Sequence, residues 1–396
     1  MEPAGDGRLL VVDDDELNRD MLSRRLERRG YAVATAADGC TALDRLEAEA
    51  YDLVVLDIMM PGMDGIEVLS RIREGRSPSE LPVIMATAKD SSEEVVRALE
   101  AGANDYVTKP LDFPVVVARV QTHLRLKQAR EELSRAHSRM KRDLEAAARL
   151  QRALIPRTMP AVQGVRFTWE FQPCDELAGD ILDVYRVDDR TAGLYLLDVS
   201  GHGVPAALLS VTLSRLLSGL GEGSYLLEGG PAGAAACPCP PAEVAGRLNR
   251  QFPMDLETMQ YFTFLYGVLD VAAGEFRFAS AAHPGPIHVP AVGAPTAHQP
   301  TGPAIGWFPE ASYEEAVLPV AAGDRVYLVS DGLLEAEDPG GAFFGQERLI
   351  ATLREARDRS LEESAGRLMR AIRDWCGPPG PGDDLSVLAF EITPGG

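Results

Sequence analysis

In LVVLDIMMPGMDG, residues 53–65, four apolar residues precede Asp57 and a Pro/Gly turn follows it. Short apolar runs of this kind are typical of strands buried on both faces of a parallel sheet. Amphipathic stretches separate this run from four similar or weaker ones, at Leu9–Val12, Val83–Ala86, Tyr31–Ala34 and Asp105–Val107. The alternation predicts a doubly wound α/β domain with right-handed crossovers.

Polar side chains follow these predicted strands, at the sheet edge that carries the site in such folds. They are Asp13, Asp14, Asp57 and Thr87, and Lys109 follows the fifth strand. Three converging carboxylates repel one another unless a cation lies among them, and Mg²⁺ is the cation that oxygen ligands favour. With a lysine beside it, such a site can hold a phosphoryl group on the aspartate. Taken singly, each acid could equally be an ordinary loop residue.

Residues 8–122 resemble the receiver domain of two-component response regulators, through VVDDD, LDIMMPGMDG, Ala86–Thr87 and Tyr106-x-x-Lys109-Pro110. The resemblance implies a flavodoxin-like (βα)5 fold in which Asp57 accepts a phosphoryl group from a histidine kinase. It also implies a Mg²⁺ site and a switch: Asp13, Asp14, Asp57 and the Met59 carbonyl around the ion, Lys109 on the phosphoryl group, and Thr87 with Tyr106 reorienting on phosphorylation.

Residues 124–157 form a basic connector of net charge +6 between regions of net charge −10 (1–123) and −17 (158–396). The stretch 114–155 has no Gly and no Pro beyond Pro114, which predicts a helix. Apolar residues recur every seven positions, at Leu126, Leu133, Met140, Ala147 and Leu154, whereas the alternate positions hold Arg130, His137 and Gln151. The helix could therefore pair two chains as a weak coiled coil in a homodimer, remain a solvated spacer, or fold back on one of the two bodies.

From about residue 165 the pattern changes to strands next to strands, with helical runs inserted. The strand-like runs are Val165–Phe171, Leu194–Val199, Phe262–Leu269, Glu275–Ala279, Val326–Ser330 and Leu385–Glu391, and the helical ones Pro205–Leu217, Glu243–Gln251, Gln346–Glu355 and Leu361–Cys376. This order predicts a sandwich with helices outside. Two stretches rich in Gly, Ala and Pro, residues 219–242 and 290–303, predict loops.

Acids again stand where the predicted elements turn: Asp180 in LAGDILD, Asp198 in DVSGHG, Asp331 in SDGLLEA and Asp383 in GDDLSV. Four carboxylates with few His and no Cys favour Mg²⁺ or Mn²⁺ over zinc. Two such ions can clamp a phosphoryl oxygen and activate a water, without a protein nucleophile. Each Asp-Gly by itself could be a simple turn.

Residues 147–391 resemble the SpoIIE-like branch of the PPM metal-dependent Ser/Thr protein phosphatases, through AARLQRALIP, LAGDILD, DVSGHGVPAALL, LNRQF, YFTFLYGVLD, AAHPGP, PTGPAIG, SDGLLEA and DDLSV. The resemblance implies an α/β/β/α sandwich. It also implies a ligand set for two Mn²⁺ or Mg²⁺ ions: Asp198, the Val199 carbonyl, Asp331, Asp383, and Asp180 directly or through water. His202 could be a general acid or a packing residue, and His283 is expected to be structural.

Together the two resemblances imply a response regulator with a receiver domain (1–123), a helical linker (124–157) and a phosphatase domain (158–396). Phosphorylation of Asp57 would control dephosphorylation of a Ser/Thr phosphoprotein, and the branch implies an anti-sigma-factor antagonist of the STAS fold. One alternative is a catalytically silent adaptor that binds a sigma-factor regulator. Another is a phosphatase for small phosphoesters or a cyclic nucleotide.

Composition narrows the partners further. Two acidic bodies argue against direct nucleic-acid binding. No apolar run reaches the roughly 18 residues that a membrane span needs, and the N-terminus lacks the pattern of a signal peptide. Five scattered cysteines do not suit a disulfide framework. The sequence is therefore expected to be cytoplasmic and to have no membrane partner.

Overall fold

The computed structural model describes residues 7–88, 92–155, 158–201, 203–218, 226–228, 237–254, 260–299, 302–378 and 380–394. The chain divides into two compact units, Met1–Met140 and Lys141–Gly396. One long helix begins in the first unit and ends in the second. The limits of the receiver, linker and phosphatase domains at residues 123 and 157 stay predictions.

The first unit is built on a five-stranded parallel sheet of order β2-β1-β3-β4-β5. Its strands are β1 Arg8–Val12, β2 Ala32–Ala36, β3 Leu53–Asp57, β4 Val83–Ala88 and β5 Asp105–Lys109. Its helices are α1 Glu16–Glu27, α2 Gly39–Ala48, α3 Gly65–Gly75 and α4 Ser92–Glu100, and the long helix α5 Phe113–Arg152 starts here. The predicted doubly wound α/β fold is confirmed.

Both faces of this sheet are buried, as the apolar strand runs predict. Leu10 and Val12 of β1 belong to one core cluster, and Leu9 and Val11 belong to the other. Side chains of a strand alternate between its two faces, so a run that is apolar throughout fills a core on each side. The carboxyl ends of β1, β3, β4 and β5 are thereby held at one edge.

Helix α5 has 40 residues, about 60 Å at 1.5 Å per residue, and confirms the predicted helix. Leu126, Leu133 and Met140 are 61%, 71% and 57% exposed. Farther along the same stripe, Ala147 and Leu154 are partly buried in the core of the second unit. The apolar stripe is therefore open to solvent only over its first three positions.

The second unit contains two five-stranded antiparallel sheets, of order β15-β12-β11-β8-β7 and β14-β13-β16-β17-β6. The first consists of β7 Ile181–Arg186, β8 Thr191–Val199, β11 Phe262–Asp270, β12 Glu275–Ala281 and β15 Ala316–Pro319. The second consists of β6 Val165–Gln172, β13 Ile287–Val289, β14 Thr296–Ala297, β16 Arg325–Val329 and β17 Leu385–Ile392. Apolar side chains of both sheets share one core, for example Leu265 with Phe390.

Helices cover the two sheets from outside. Helices α6 Val204–Leu216 and α7 Pro241–Gln251 pack on the first sheet, and α9 Leu361–Cys376, beside α8 Gly345–Glu355, packs on the second. A short 3-10 turn, Asp331–Leu333, follows β16. The layers confirm the predicted α/β/β/α sandwich.

Part of the predicted loop 219–242 is ordered structure instead. Strands β9 Leu227–Glu228 and β10 Cys237–Pro238 pair with each other, and α7 begins at Pro241. Leu226 and Cys239 are fully buried, and the backbone of Cys239 donates to that of Leu226. Burial of these two side chains explains why the Gly/Pro-rich composition misled the prediction here. Residues 219–225 and 229–236 lie outside the described residues.

Candidate phosphorylation and metal sites

The predicted acids of the first unit meet at the carboxyl edge of its sheet. Oxygen atoms of the Asp13, Asp14 and Asp57 carboxylates all lie within 4.8 Å of one another. Asp57 ends β3 and is buried, as is Asp13, whereas Asp14 is exposed. This geometry fits the predicted Mg²⁺ site, because three oxygen ligands on one side leave room for water and a phosphoryl group.

Lys109, the last residue of β5, balances this negative charge. Its Nζ lies 2.7 Å from Asp57 Oδ2 and 3.0 Å from Asp13 Oδ2. Burial raises the pKa of Asp57, and the hydrogen bond from Lys109 partly offsets the rise. Burial acts to lower the pKa of Lys109, but the bonds to the two carboxylates outweigh it and raise that pKa. The lysine therefore remains charged beside the candidate phospho-acceptor.

The candidate switch residues flank this pocket. The buried Thr87 hydroxyl donates to Glu94 Oε2 of α4 at 3.2 Å. The Tyr106 ring lies under the Arg119 guanidinium of α5, with 5.6 Å between the guanidinium carbon and the ring centroid. Met59, whose carbonyl is the predicted fourth ligand, has a backbone N–H that hydrogen-bonds to Asp57. The contact with Glu94 has no signal in the sequence.

The predicted acids of the second unit come from four chain segments at one end of the sandwich. Asp180 precedes β7 and Asp198 is the penultimate residue of β8, in the first sheet. Asp331 follows β16 and Asp383 precedes β17, in the second sheet. Within the described residues these acids do not form a cluster as tight as that of the first unit.

Asp384, the neighbour of the predicted ligand Asp383, fastens these segments together. Its buried carboxylate accepts the backbone N–H groups of Cys174 at 2.9 Å, Gly179 at 2.8 Å and Asp180 at 3.3 Å. The Ser386 hydroxyl donates to Asp180 Oδ2. Sequence reasoning did not assign a role to Asp384 or Ser386, which connect Asp180 to β17.

Two glycines are required at this site because the backbone comes too close for a side chain. A Cβ on Gly179 would lie 2.8 Å from the Val199 carbonyl oxygen and 3.3 Å from Asp198 Oδ1. A Cβ on Gly332 would lie 2.2 Å from the Asp384 carbonyl oxygen. The glycine in LAGDILD therefore lets Asp180 approach Asp198 and the Val199 carbonyl.

The pKa values of these carboxylates are raised by burial and by mutual repulsion. Burial and repulsion by Asp331, Asp383 and Asp384 raise the pKa of Asp198 to about 8. Burial and repulsion by Asp383 and Glu335 raise the pKa of Asp331 to about 6. Burial and repulsion by Asp198 and Asp384 also raise the pKa of the fully buried Asp180 well above its usual value. Desolvated like charges of this kind are relieved by divalent cations, and carboxylate and carbonyl oxygens fit Mg²⁺ or Mn²⁺.

The end of α5 is fastened to the same site. Gln151 is buried, and its Nε2 donates to the Ala178 carbonyl at 2.6 Å and to Ser210 Oγ at 3.0 Å. Its Oε1 accepts the Ala178 N–H at 3.1 Å. The seven-residue repeat places Gln151 at an alternate seam position of the predicted helix, and in the structure its side chain is buried against Ala178.

The two histidines singled out in the sequence differ in what the structure describes. His283 is fully buried, its Nδ1 lies 2.8 Å from Thr263 Oγ1, and burial lowers its pKa to about 3. A neutral ring without access to solvent suits the predicted structural role. His202 lies outside the described residues, so its proposed role as general acid stays a prediction.

Each of the two parts of the chain matches a known protein family. The family described as Stage II sporulation protein E (SpoIIE) matches residues 188–393, just over half of the chain, and the response regulator receiver domain matches residues 9–121. The SpoIIE match begins after Asp180, so the position of that residue rests on the contacts above. No helix among the described residues is long and apolar enough to cross a membrane.

Curated relatives match the first unit. The alkaline phosphatase synthesis transcriptional regulatory protein PhoP of Bacillus subtilis is 46% identical over 136 residues, which are 34% of this chain and 54% of that protein. The transcriptional regulatory protein CseB of Streptomyces coelicolor is 45% identical over 117 residues, 30% of this chain and 49% of that protein. The chain thus spans about half the length of these relatives.

A solved structure matches the second unit. The SiaA-PP2C domain of Pseudomonas aeruginosa has a TM-score of 0.53 and 21% sequence identity, and the match covers 65% of this chain and 98% of that one. At this identity the likeness establishes the fold, which is the sandwich described above. With the SpoIIE match over most of the second unit and the receiver match over the first, the chain belongs to the SpoIIE family and carries an N-terminal response regulator receiver domain.

Proposed function

We propose that this chain is a metal-dependent protein serine/threonine phosphatase whose activity is controlled by phosphorylation of Asp57. The observation that supports the hydrolytic activity is the cluster of Asp180, Asp198 and Asp331, whose pKa values all rise because the carboxylates are buried and are repelled by neighbouring acids. Clustered carboxylates with perturbed pKa values are typical of functional sites.

The ligands for the ions would be the carboxylates of Asp198, Asp331, Asp383 and Asp180 and the carbonyl of Val199. When bound, two divalent cations supply a polarised phosphoryl group and a water of lowered pKa. The chain's own task is to hold its oxygen atoms in place. Asp384 does this through Gly179 and Asp180, and Ser386 does it through Asp180.

Hydrolysis of a phosphoserine breaks the bond between phosphorus and the serine oxygen and adds water across it, giving serine and inorganic phosphate. A thiolate mechanism is disfavoured, although Cys174 lies beside the site. Burial and the neighbouring Asp384 and Asp383 raise the pKa of its thiol to about 12, so it stays protonated. We propose water as the nucleophile.

Control by Asp57 is supported by the residues along α5. Arg119 near its start covers the Tyr106 ring, and Gln151 near its end holds Ala178. A histidine kinase would supply the phosphoryl group. A change at Tyr106 would alter the start of α5, and a change in the pairing or angle of this helix would alter the position of Asp180. A coupling of 1–3 kcal/mol corresponds to about 5–150-fold in activity.

The substrate follows from the resemblance to the SpoIIE-like branch, which implies a phosphorylated anti-sigma-factor antagonist of the STAS fold. The chain as a whole is strongly acidic, with a net charge of −21. Such a charge favours a protein substrate over a nucleic acid. Two chains would associate through the receiver and the exposed part of the α5 stripe.

The test is phosphate release from a phosphoserine STAS protein in Mn²⁺ or in EDTA. We expect turnover in Mn²⁺, its loss in EDTA, and a loss of at least 100-fold in Asp331→Asn. Asp358→Asn, on an exposed loop, is the matched control and should retain activity. Binding of the STAS protein without turnover, in either phosphorylation state of Asp57, would contradict the proposal and favour the silent adaptor.

A further inference from the structure

Three aromatic residues form a surface beside the carboxylate cluster, and neither the metal site nor the receiver uses them. Tyr261, Trp307 and Phe308, here called the aromatic platform, touch in series. The ring centroids of Tyr261 and Trp307 are 5.1 Å apart, and those of Trp307 and Phe308 are 6.2 Å apart, both in edge arrangements. Trp307 is 47% exposed and Phe308 is 56% exposed.

The platform is joined directly to the metal-ligand segment. Ser200, two residues after Asp198, donates its N–H to the Tyr261 carbonyl at 3.0 Å and accepts the Tyr261 N–H on Oγ at 3.0 Å. Asp198 pairs with Thr263 in the ladder between β8 and β11. Tyr261 is two residues from Thr263, about 7 Å along an extended chain.

The loop that carries the platform is held firmly. Asn249 of α7 is 2% exposed, and its Nδ2 donates to the carbonyls of Phe308 at 2.9 Å and Pro309 at 3.4 Å. Its Oδ1 accepts the Gly306 N–H at 2.8 Å. The buried Asn249 side chain therefore fixes the backbone of the loop on which Trp307 and Phe308 are exposed.

We propose that the aromatic platform is the docking surface for the protein substrate, and that it binds an apolar patch beside the phosphorylated residue. This inference rests on the proposed phosphatase function. Rigid exposed Trp and Phe side chains are typical of the residues that dominate protein interfaces. The platform is linked to the carboxylate cluster through the bonds between Tyr261 and Ser200, two residues after Asp198. A small phosphoester lacks the neighbouring residues of a protein substrate that would contact the platform.

The experiment compares two substrates, a phosphoserine STAS protein and p-nitrophenyl phosphate, with the full chain in Mn²⁺. For the double variant Trp307→Ala/Phe308→Ala, we expect the ratio of kcat/KM for the phosphoprotein to kcat/KM for p-nitrophenyl phosphate to fall at least tenfold, mainly through KM. Each single variant should show part of the effect. Val292→Ala is the matched control, because Val292 is an apolar residue 92% exposed on the loop between β13 and β14, at the edge of the other sheet.

An unchanged ratio in the double variant would overturn the inference and leave the proposed function standing. Equal loss of both activities in the double and single variants would also overturn it, since the residues would then support the site instead of docking. A wild-type chain that hydrolyses p-nitrophenyl phosphate but not the phosphoprotein would contradict the proposed substrate class and, with it, the occupant of the platform.

Discussion

Gln151 holds Ala178 by both of its backbone groups: Nε2 donates to the carbonyl at 2.6 Å, and Oε1 accepts the N–H at 3.1 Å. Ala178 is two residues before Asp180, and Gly179 between them is bound by Asp384. The last turn of α5 and the start of β17 therefore fix one short segment from two sides. The position of the Asp180 carboxylate depends on both contacts.

Substituting Gln151 by Ala removes these bonds and leaves the Ala178 backbone groups buried without partners. We expect the free energy of unfolding to fall by about 1–3 kcal/mol. We also expect kcat for the phosphoprotein to fall at least tenfold, because Asp180 loses its fixed position. Gln128→Ala, an exposed position on the same helix, is the control for both thermal unfolding and phosphate release. Full activity of Gln151→Ala would show that this anchor is dispensable.

The buried carboxylates make the metal-free protein sensitive to pH. The pKa of Asp198 is raised from 3.8 to about 8, and that of Asp331 to about 6. Between these values and the ordinary aspartate pKa, the folded protein binds protons more tightly than the unfolded chain. Stability contributed by these groups is present at low pH and lost as pH rises through the folded-state pKa values.

We therefore expect the Tm of the metal-free protein to fall as the pH is raised from about 5 to about 8. Mn²⁺ should restore it at the higher pH, because the ion stabilises the ionised carboxylates. Asp198→Asn should flatten the pH dependence without metal, whereas Asp358→Asn should not. A slope that is as steep in Asp198→Asn as in the unaltered chain would rule out this origin.

We expect Glu94 to compete with a phosphoryl group for the Thr87 hydroxyl. The hydroxyl donates to Glu94 Oε2 at 3.2 Å, and the predicted switch would turn it to phosphorylated Asp57. Glu94→Ala removes this one hydrogen bond, which is worth about 0.5–1.5 kcal/mol. We expect beryllofluoride with Mg²⁺ to bind about three- to tenfold more tightly, measured by thermal shift. The exposed neighbour Glu93 supplies the control Glu93→Gln, and equal affinities in all three proteins would contradict the competition.

The exposed part of the α5 stripe is expected to pair two chains. Leu133 is 71% exposed and lies seven residues from both Leu126 and Met140. A charge at Leu133 would be desolvated in a paired seam, so Leu133→Glu should convert a dimer to a monomer in light scattering with beryllofluoride. Leu150→Glu, 75% exposed but off the stripe, should leave the dimer intact. A monomeric unaltered chain under these conditions would refute pairing through α5.

Much of the fold follows from local pattern. Runs that are apolar throughout, such as Leu53–Leu56, predict strands of a parallel sheet, and the structure places this one in β3. Strands with mixed polarity are harder to predict from the sequence. An example is β7, ILDVYR, because it contains Asp183 and Arg186. Short edge strands such as β14 have two residues and leave no periodic signal.

The sequence predicts which acids form the site of the second unit. It does not predict which of them accept hydrogen bonds from the backbone. Nothing in the pair Asp383–Asp384 distinguishes one acid from the other. In the structure Asp384 is buried and its carboxylate accepts hydrogen bonds from three backbone N–H groups, whereas Asp383 is exposed. Gln151 had a signal in the AARLQRALIP motif, but its partner Ala178 is 27 residues away and only the tertiary structure pairs them.

Control of the phosphatase by Asp57 is tested most directly by phosphate release from a phosphoserine STAS protein in Mn²⁺, with and without acetyl phosphate. We expect acetyl phosphate to change the rate at least fivefold in the unaltered chain and to leave it unchanged in Asp57→Ala. Asp331→Asn should be inactive in both conditions. A rate that acetyl phosphate does not change in the unaltered chain, or changes equally in Asp57→Ala, would contradict control of the phosphatase by Asp57.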